Sequence, residues 1–123
     1  MNRRWRQNNP EQVAINRKKY EANAYGVLSE IYIKEQIFNR DQWICQICFE
    51  PVPQNISYPD PLYPTIDHII ALSLGGPDII VNIRLAHNRC NTSKRERLLV
   101  KDKYIVEILS SDYDVSLDGV KWV

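Results

Sequence analysis

Two short pairs with identical spacing constrain this chain most: Cys45-x-x-Cys48 and His87-x-x-Cys90. Each pair can bend around one ion, and four nitrogen and sulfur ligands complete a tetrahedral zinc site. The pattern uses all three cysteines of the chain. An odd cysteine count in a reducing compartment argues against a disulfide framework. A redox CxxC motif would call for a thioredoxin-like βαβ context, and none is visible. The expectation is one structural zinc per chain, stapling residue 45 to residue 90 in a domain with a modest core.

With 123 residues, 44% hydrophobic and 25% charged, the chain has the size and balance of one ordinary globular domain. No apolar run is long enough to span a bilayer. The opening MNRRWRQNNPEQ is basic but has no apolar core of a secretory signal, so cytoplasm is the default compartment. The net charge of +1 excludes nothing, but its distribution is uneven. Arg3, Arg4, Arg6, Arg17, Lys18 and Lys19 crowd one end. Arg89, Lys94, Arg95, Arg97, Lys101 and Lys103 follow the second ligand pair, and the tail from residue 107 to 118 is acidic. Such clusters suit an anionic partner met by one face, or a plainly solvated surface.

Along the chain, residues 1–9 read as a basic arm, with Trp5 available for stacking on a base. Asn9 and Pro10 can open a helix over residues 11–24 that Gly26 ends. A second helix is expected over residues 29–39 with Ser29 as cap. WICQICFEPVP predicts a short strand folding into a knuckle, and five prolines between residues 51 and 64 predict an irregular loop. TIDHIIAL is a strand candidate, GlyGlyPro at 75–77 a turn, and residues 79–85 a second strand or extended loop. Residues 91–100 read as a helix with a basic face. Residues 103–109 continue it or begin another element, and the end folds as a hairpin around Asp118-Gly119.

Between the halves of the knuckle lies TIDHIIALSLGGPDIIVNIRL. The order Cys45-x-x-Cys48, Asp67-His68-Ile69, Gly75-Gly76, Asn82-Ile83, His87-x-x-Cys90-Asn91 and Lys94 resembles the HNH endonuclease family, over about 50 of the 123 residues. Each piece alone has a bland explanation: a surface Asp-His pair, a turn asparagine, a solvated lysine. The joint order carries the resemblance.

What it implies is an α+β fold: a ββα-metal module stapled by structural zinc, with N-terminal helices. The divisions would be an arm and helix at 1–28, a nuclease core at 29–110 and an acidic extension at 111–123. His68 would be the general base, Asp67 a ligand of a catalytic ion, and Asn82 the residue that holds the loop between the strands. The third family position, often His, falls on Asn91, an HNN variant. Asp67 and Asn91 would then form an all-oxygen site suited to Mg²⁺ or Mn²⁺. His87 stands where many members carry Cys, and so belongs to zinc. Lys94, Arg95 and Arg97 would neutralise DNA phosphates.

The chemistry agrees with the resemblance. Phosphodiester hydrolysis needs an activated water and positive charge against the developing phosphorane, and His is suited to act as a base near neutral pH. Neighbours on a regular strand face opposite ways, so the strand should twist or end where Asp67 and His68 stand. Two functions compete. One is metal-dependent DNA cleavage. The other is a non-catalytic zinc module binding nucleic acid or a protein partner. Small members of the family are often carried by phages or prophages, some beside DNA-packaging machinery, so a protein partner is part of what the resemblance implies. A thiol redox protein would leave His87 and Cys90 idle.

Overall fold

The computed structural model describes Glu11 and residues 26–123. The basic arm with Trp5, the Asn9 cap and all of the 11–24 helix except Glu11 lie outside the described residues. In chain order the elements are α1 (Lys34–Arg40), β1 (Pro64–His68), β2 (Ile83–His87), α2 (Asn88–Lys94) and α3 (Lys103–Asp112). Single 3-10 turns sit at Leu72–Leu74, Ile80–Asn82 and Val100–Asp102. The arrangement is α+β: a two-stranded antiparallel sheet with helices around it.

β1 and β2 pair from Pro64↔His87 to His68↔Ile83. All five positions of β2 are buried. One edge of β2 carries β1, and the other is closed by the segment after α1. There the Leu85 N–H donates to the Asp41 carboxylate at 2.8 Å, and Gln46 N–H donates to the Leu85 carbonyl at 2.9 Å. Covering that edge leaves β2 no free hydrogen-bonding face.

Two apolar clusters flank this sheet. Phe38, Cys45, Val52, Leu85 and Ala86 pack under the knuckle, with Trp43 edge-on to Phe38 at 5.3 Å. Ile69, Ile70, Leu98, Val106 and Leu109 form the second, covered by Val115, Leu117 and Val120 of the tail.

Several expected elements are corrected. The helix expected over residues 29–39 begins only at Lys34, because residues 28–30 are extended and pair with Asp78. The knuckle strand reduces to one bridge, Ile44↔Pro51. The helix expected over 91–100 runs instead from Asn88 to Lys94, and Arg95 ends it at a φ of 53°. It starts early because loop carbonyls receive its first free N–H groups: Asn88 donates to Tyr63 and Arg89 to Pro61, each at 2.8 Å. It ends early because Leu98, fully buried, must turn back to the tail. The tail is not a hairpin: Trp122 bridges Leu98 in parallel, with Leu98 and Lys121, and Val123 and Leu98, joined by backbone hydrogen bonds. α3 resolves the open choice at 103–109 as a separate helix.

The glycine pair has a steric reason. Gly75 sits at a φ of 90°, and a Cβ on Gly76 would stand 1.9 Å from the Ile70 carbonyl oxygen.

Candidate functional site

The knuckle brings Cys45, Cys48, His87 and Cys90 together with all ligand atoms within 4.8 Å of one another. Cys48 Sγ lies 3.4 Å and Cys90 Sγ 3.7 Å from His87 Nδ1. A tetrahedral zinc with Zn–S of about 2.3 Å and Zn–N of about 2.0–2.1 Å needs S···N edges of about 3.5–3.6 Å. The pocket therefore has the size of the ion. His87 Nε2 is 2.9 Å from the Pro51 carbonyl, an acceptor only, so Nε2 carries the proton and Nδ1 offers its lone pair to the metal.

The electrostatics agree. Burial pushes the Cys45 thiol up, but backbone N–H groups of Cys48, His87 and Ile47 outweigh it and bring it down to about 7. Cys90 is pushed up to about 12 by burial and by the charge of Cys45. Three thiols in one pocket cannot all ionise without a cation among them, and Zn²⁺ is the cation this donor set fits. The cluster can hold a zinc ion.

β1 ends at His68, and the last two strand residues go to different partners. His68 Nε2 lies 2.8 Å from Asp78 Oδ1. The imidazole is 18% exposed, whereas the Asp78 side chain is 3% exposed. No hydrogen bond among the described residues reaches His68 Nδ1. Asp78 also accepts a 2.8 Å hydrogen bond from the Tyr32 hydroxyl.

Asp67 lies directly across from Arg84 in the sheet register. Its Oδ2 accepts from Arg84 Nε at 2.9 Å and its Oδ1 from Lys94 Nζ at 3.1 Å. Arg84 forks onto both oxygens of Asp102 at 2.8 Å, and Lys94 Nζ also donates to the His68 carbonyl at 2.8 Å. Asp67, Arg84, Lys94 and Asp102 are all buried. Burial lowers the Lys94 ammonium from its ordinary value, and Asp67 only partly offsets this. Burial also acts to lower Arg84, but Asp102 and Asp67 outweigh it and raise the guanidinium.

This network bears on two expectations. Lys94, expected to face a phosphate, points inward at Asp67. Asp67, expected beside Asn91 as a metal ligand, is 1% exposed with both oxygens taken by cations. Asn91 turns its amide N–H to Thr65 Oγ1 and the Ile66 carbonyl at 3.2 and 3.0 Å. In this arrangement the two do not fit an open divalent-ion site.

Because Arg84 joins two buried carboxylates, breaking its fork strands charge in the interior. Asp102→Ala is expected to destabilise the fold by about 3–5 kcal/mol in urea denaturation. A loss below about 1 kcal/mol would mean that the network is solvated.

Asn82, fully buried, ties the loop between the strands to itself. Its Oδ1 accepts from Ile70 N–H at 2.9 Å, and its Nδ2 donates to the carbonyls of Ile70 at 3.0 Å and Pro77 at 2.7 Å. Asn82→Ala would leave three buried backbone groups unpaired, for an expected loss of about 3 kcal/mol in thermal or urea unfolding. Asn82→Asp should recover only part of it, since a carboxylate cannot donate to either carbonyl.

Of the other cations, Arg95 is exposed at the end of α2. Arg97 is half-buried and donates to the carbonyls of Ser93 and Lys94. Both line an open cleft of about 760 Å³ with Thr92, Ser93 and Lys121.

Sequence reasoning missed Asp78, Tyr32, Arg84 and Asp102. Arg84 was recoverable only from the strand register, and the others carry no local pattern.

A two-stranded antiparallel sheet followed at once by a short helix, with a zinc-type knuckle holding the second strand to the loop before the first, defines a small ββα module. Residues 45–97 match the HNH endonuclease family model. No curated protein and no solved structure matches the chain. No helix among the described residues is long and apolar enough to cross a membrane.

Proposed function

We propose that this chain is a nuclease that hydrolyses DNA phosphodiester bonds with His68 as the general base. The carrying observation is His68 at the end of β1, inside the matched domain, with Nε2 held by Asp78 and Nδ1 left without a hydrogen bond among the described residues. In the proposed step, water gives a proton to Nδ1 and attacks phosphorus, the P–O3′ bond breaks with its electron pair going to O3′, and O3′ takes a proton from solvent. The products would be 5′-phosphate and 3′-hydroxyl ends. Asn82 keeps the loop beyond β1 closed and so fixes where His68 stands. Zinc on Cys45, Cys48, His87 and Cys90 is structural in this reading, since four protein ligands leave no open position.

Arg95, Arg97 and Lys121 in the cleft beside α2 are proposed to meet the phosphate backbone. The resemblance implies a catalytic Mg²⁺ or Mn²⁺ on Asp67 and Asn91. The saturated carboxylate of Asp67 does not favour that placement.

That same saturation favours a second reading, a zinc module that binds nucleic acid without cutting it. Supercoiled plasmid incubated with the zinc-loaded protein, in Mg²⁺, in Mn²⁺ or without added divalent ion, separates the two. Nicking supports the nuclease, and the ion series tells whether a divalent cation is required. Salt-sensitive binding with intact plasmid in every arm would replace it with the binding module.

A further inference from the structure

The base sits at the end of a chain of contacts that begins outside the matched domain. Residues 28–30 run alongside the loop after the glycine pair. Asp78 N–H donates to the Leu28 carbonyl at 2.8 Å, and Glu30 N–H donates to the Asp78 carbonyl at 2.9 Å. The Glu30 carboxylate accepts from Ile80 N–H at 2.8 Å. Both sides of the Asp78 backbone are thus gripped by one segment. Two residues on, Tyr32 reaches back and donates its hydroxyl to Asp78 Oδ1 at 2.8 Å, the same oxygen that meets His68 Nε2 at 2.8 Å.

We propose that the segment 28–32, which precedes the HNH domain, positions the catalytic base, with Asp78 as the positioning residue for His68 and Tyr32 as the residue that orients Asp78.

The argument rests on donors and acceptors. An ionised carboxylate only accepts, so Asp78 requires the proton of His68 on Nε2. That selects one of two tautomers and leaves the lone pair on Nδ1, the nitrogen free to take a proton from water. Without the carboxylate, the ring is free to place its proton on either nitrogen and to rotate. A general base oriented by a third group is the arrangement that activates nucleophiles in many hydrolytic sites. The Tyr32 hydroxyl occupies a second lone pair of Oδ1, which holds the carboxylate in the plane that faces His68. Asp78 is buried, so water does not substitute for either partner. When the ring accepts the proton, Asp78 faces the new positive charge.

The inference rests on the proposal that His68 is the base, and the experiment separates the two. The chain has two histidines, His68 and His87, so ¹⁵N spectra of the zinc-loaded, tag-free protein are simple to assign. Wild type is expected to show His68 with its proton on Nε2. Asp78→Asn is expected to give a tautomer mixture at His68 while His87 is unchanged. In plasmid nicking the same variant should lose about 10²-fold in kcat at unchanged KM, as expected for a misoriented reacting group. Tyr32→Phe, which leaves Asp78 in place, should lose less and keep the tautomer.

A wild-type His68 protonated on Nδ1, or an Asp78→Asn protein with wild-type tautomer and kcat, overturns the proposal. If wild type does not cut at all, the nuclease reading falls, and the tautomer spectra still decide whether Asp78 sets the ring. Should Asp78→Asn fail to fold, Tyr32→Phe with unchanged kcat is enough to remove the segment from the positioning role.

Discussion

Replacing His68 with alanine is expected to slow DNA nicking by about 10²- to 10⁴-fold, the range that a positioned general base supplies. The substitution removes the imidazole whose Nδ1 lone pair takes no hydrogen bond among the described residues. It should do so without unfolding the chain. The imidazole is partly exposed, Asp78 keeps the Tyr32 hydroxyl, and Asn82 closes the loop through atoms that His68 does not touch. The variant should therefore keep its zinc and its melting temperature while KM stays near the wild-type value. An alanine variant that cuts at wild-type rate would remove His68 from the role of base. Loss of cutting with a matching loss of zinc would point instead to a structural failure.

Removing one knuckle ligand is expected to have the largest effect on the fold. Cys45 is fully buried, lies in the apolar cluster under the knuckle, and accepts a backbone hydrogen bond from His87 N–H. A zinc ion on these ligands would join it to β2 and to α2, across residues 45–90, which contain six prolines and little regular structure. Structural zinc in small domains contributes about 10–16 kcal/mol of apparent binding free energy at neutral pH, comparable to the whole stability of a domain. Cys45→Ser is expected to abolish stoichiometric zinc by elemental analysis. It should also lower the melting temperature by roughly 30 °C or more, at the few degrees per kcal/mol usual for a chain of this size. Chelation of the wild type should reproduce the shift, and added zinc should reverse it. A zinc-free wild type that melts at the same temperature would show that the knuckle closes without metal.

The two effects act on different levels, and the residues between them explain why. Asn82 and the Arg84 network belong to neither the base nor the metal. They hold the loop after β1 and the inner face of β2, so their loss should appear first in stability and only through it in cutting.

Asp67 is the residue where resemblance and geometry part. The motif pairs it with His68, but the strand alternates, and register places Asp67 opposite Arg84. A carboxylate directly across from a guanidinium on a buried strand pairs with it, and Lys94 completes the neutralisation from α2. The helix expected over residues 91–100, with an outward basic face, fails for the same reason. Lys94 turns inward to Asp67, and Arg95 leaves the helical conformation so that Leu98 can reach the tail. The acidic end likewise folds back as a lid of Val115, Leu117 and Val120 over the second apolar cluster.

By itself the sequence determined what depends on near neighbours and on a fixed order of motifs. The zinc-type ligand set, the turn at the glycine pair, the strand carrying Asp-His and the family model that the central span matches were all legible, because ligand spacing, positive φ and motif order are local or linear properties. What only the tertiary structure decided are contacts between residues far apart in the chain. Arg84 and Asp102 are 18 residues apart, Lys94 and Asp67 27, and Tyr32 and Asp78 46. No periodicity links such positions. They meet because burying charge demands a partner wherever the fold brings one, and that demand sent Asp67 to Arg84 and Lys94 while leaving His68 to Asp78.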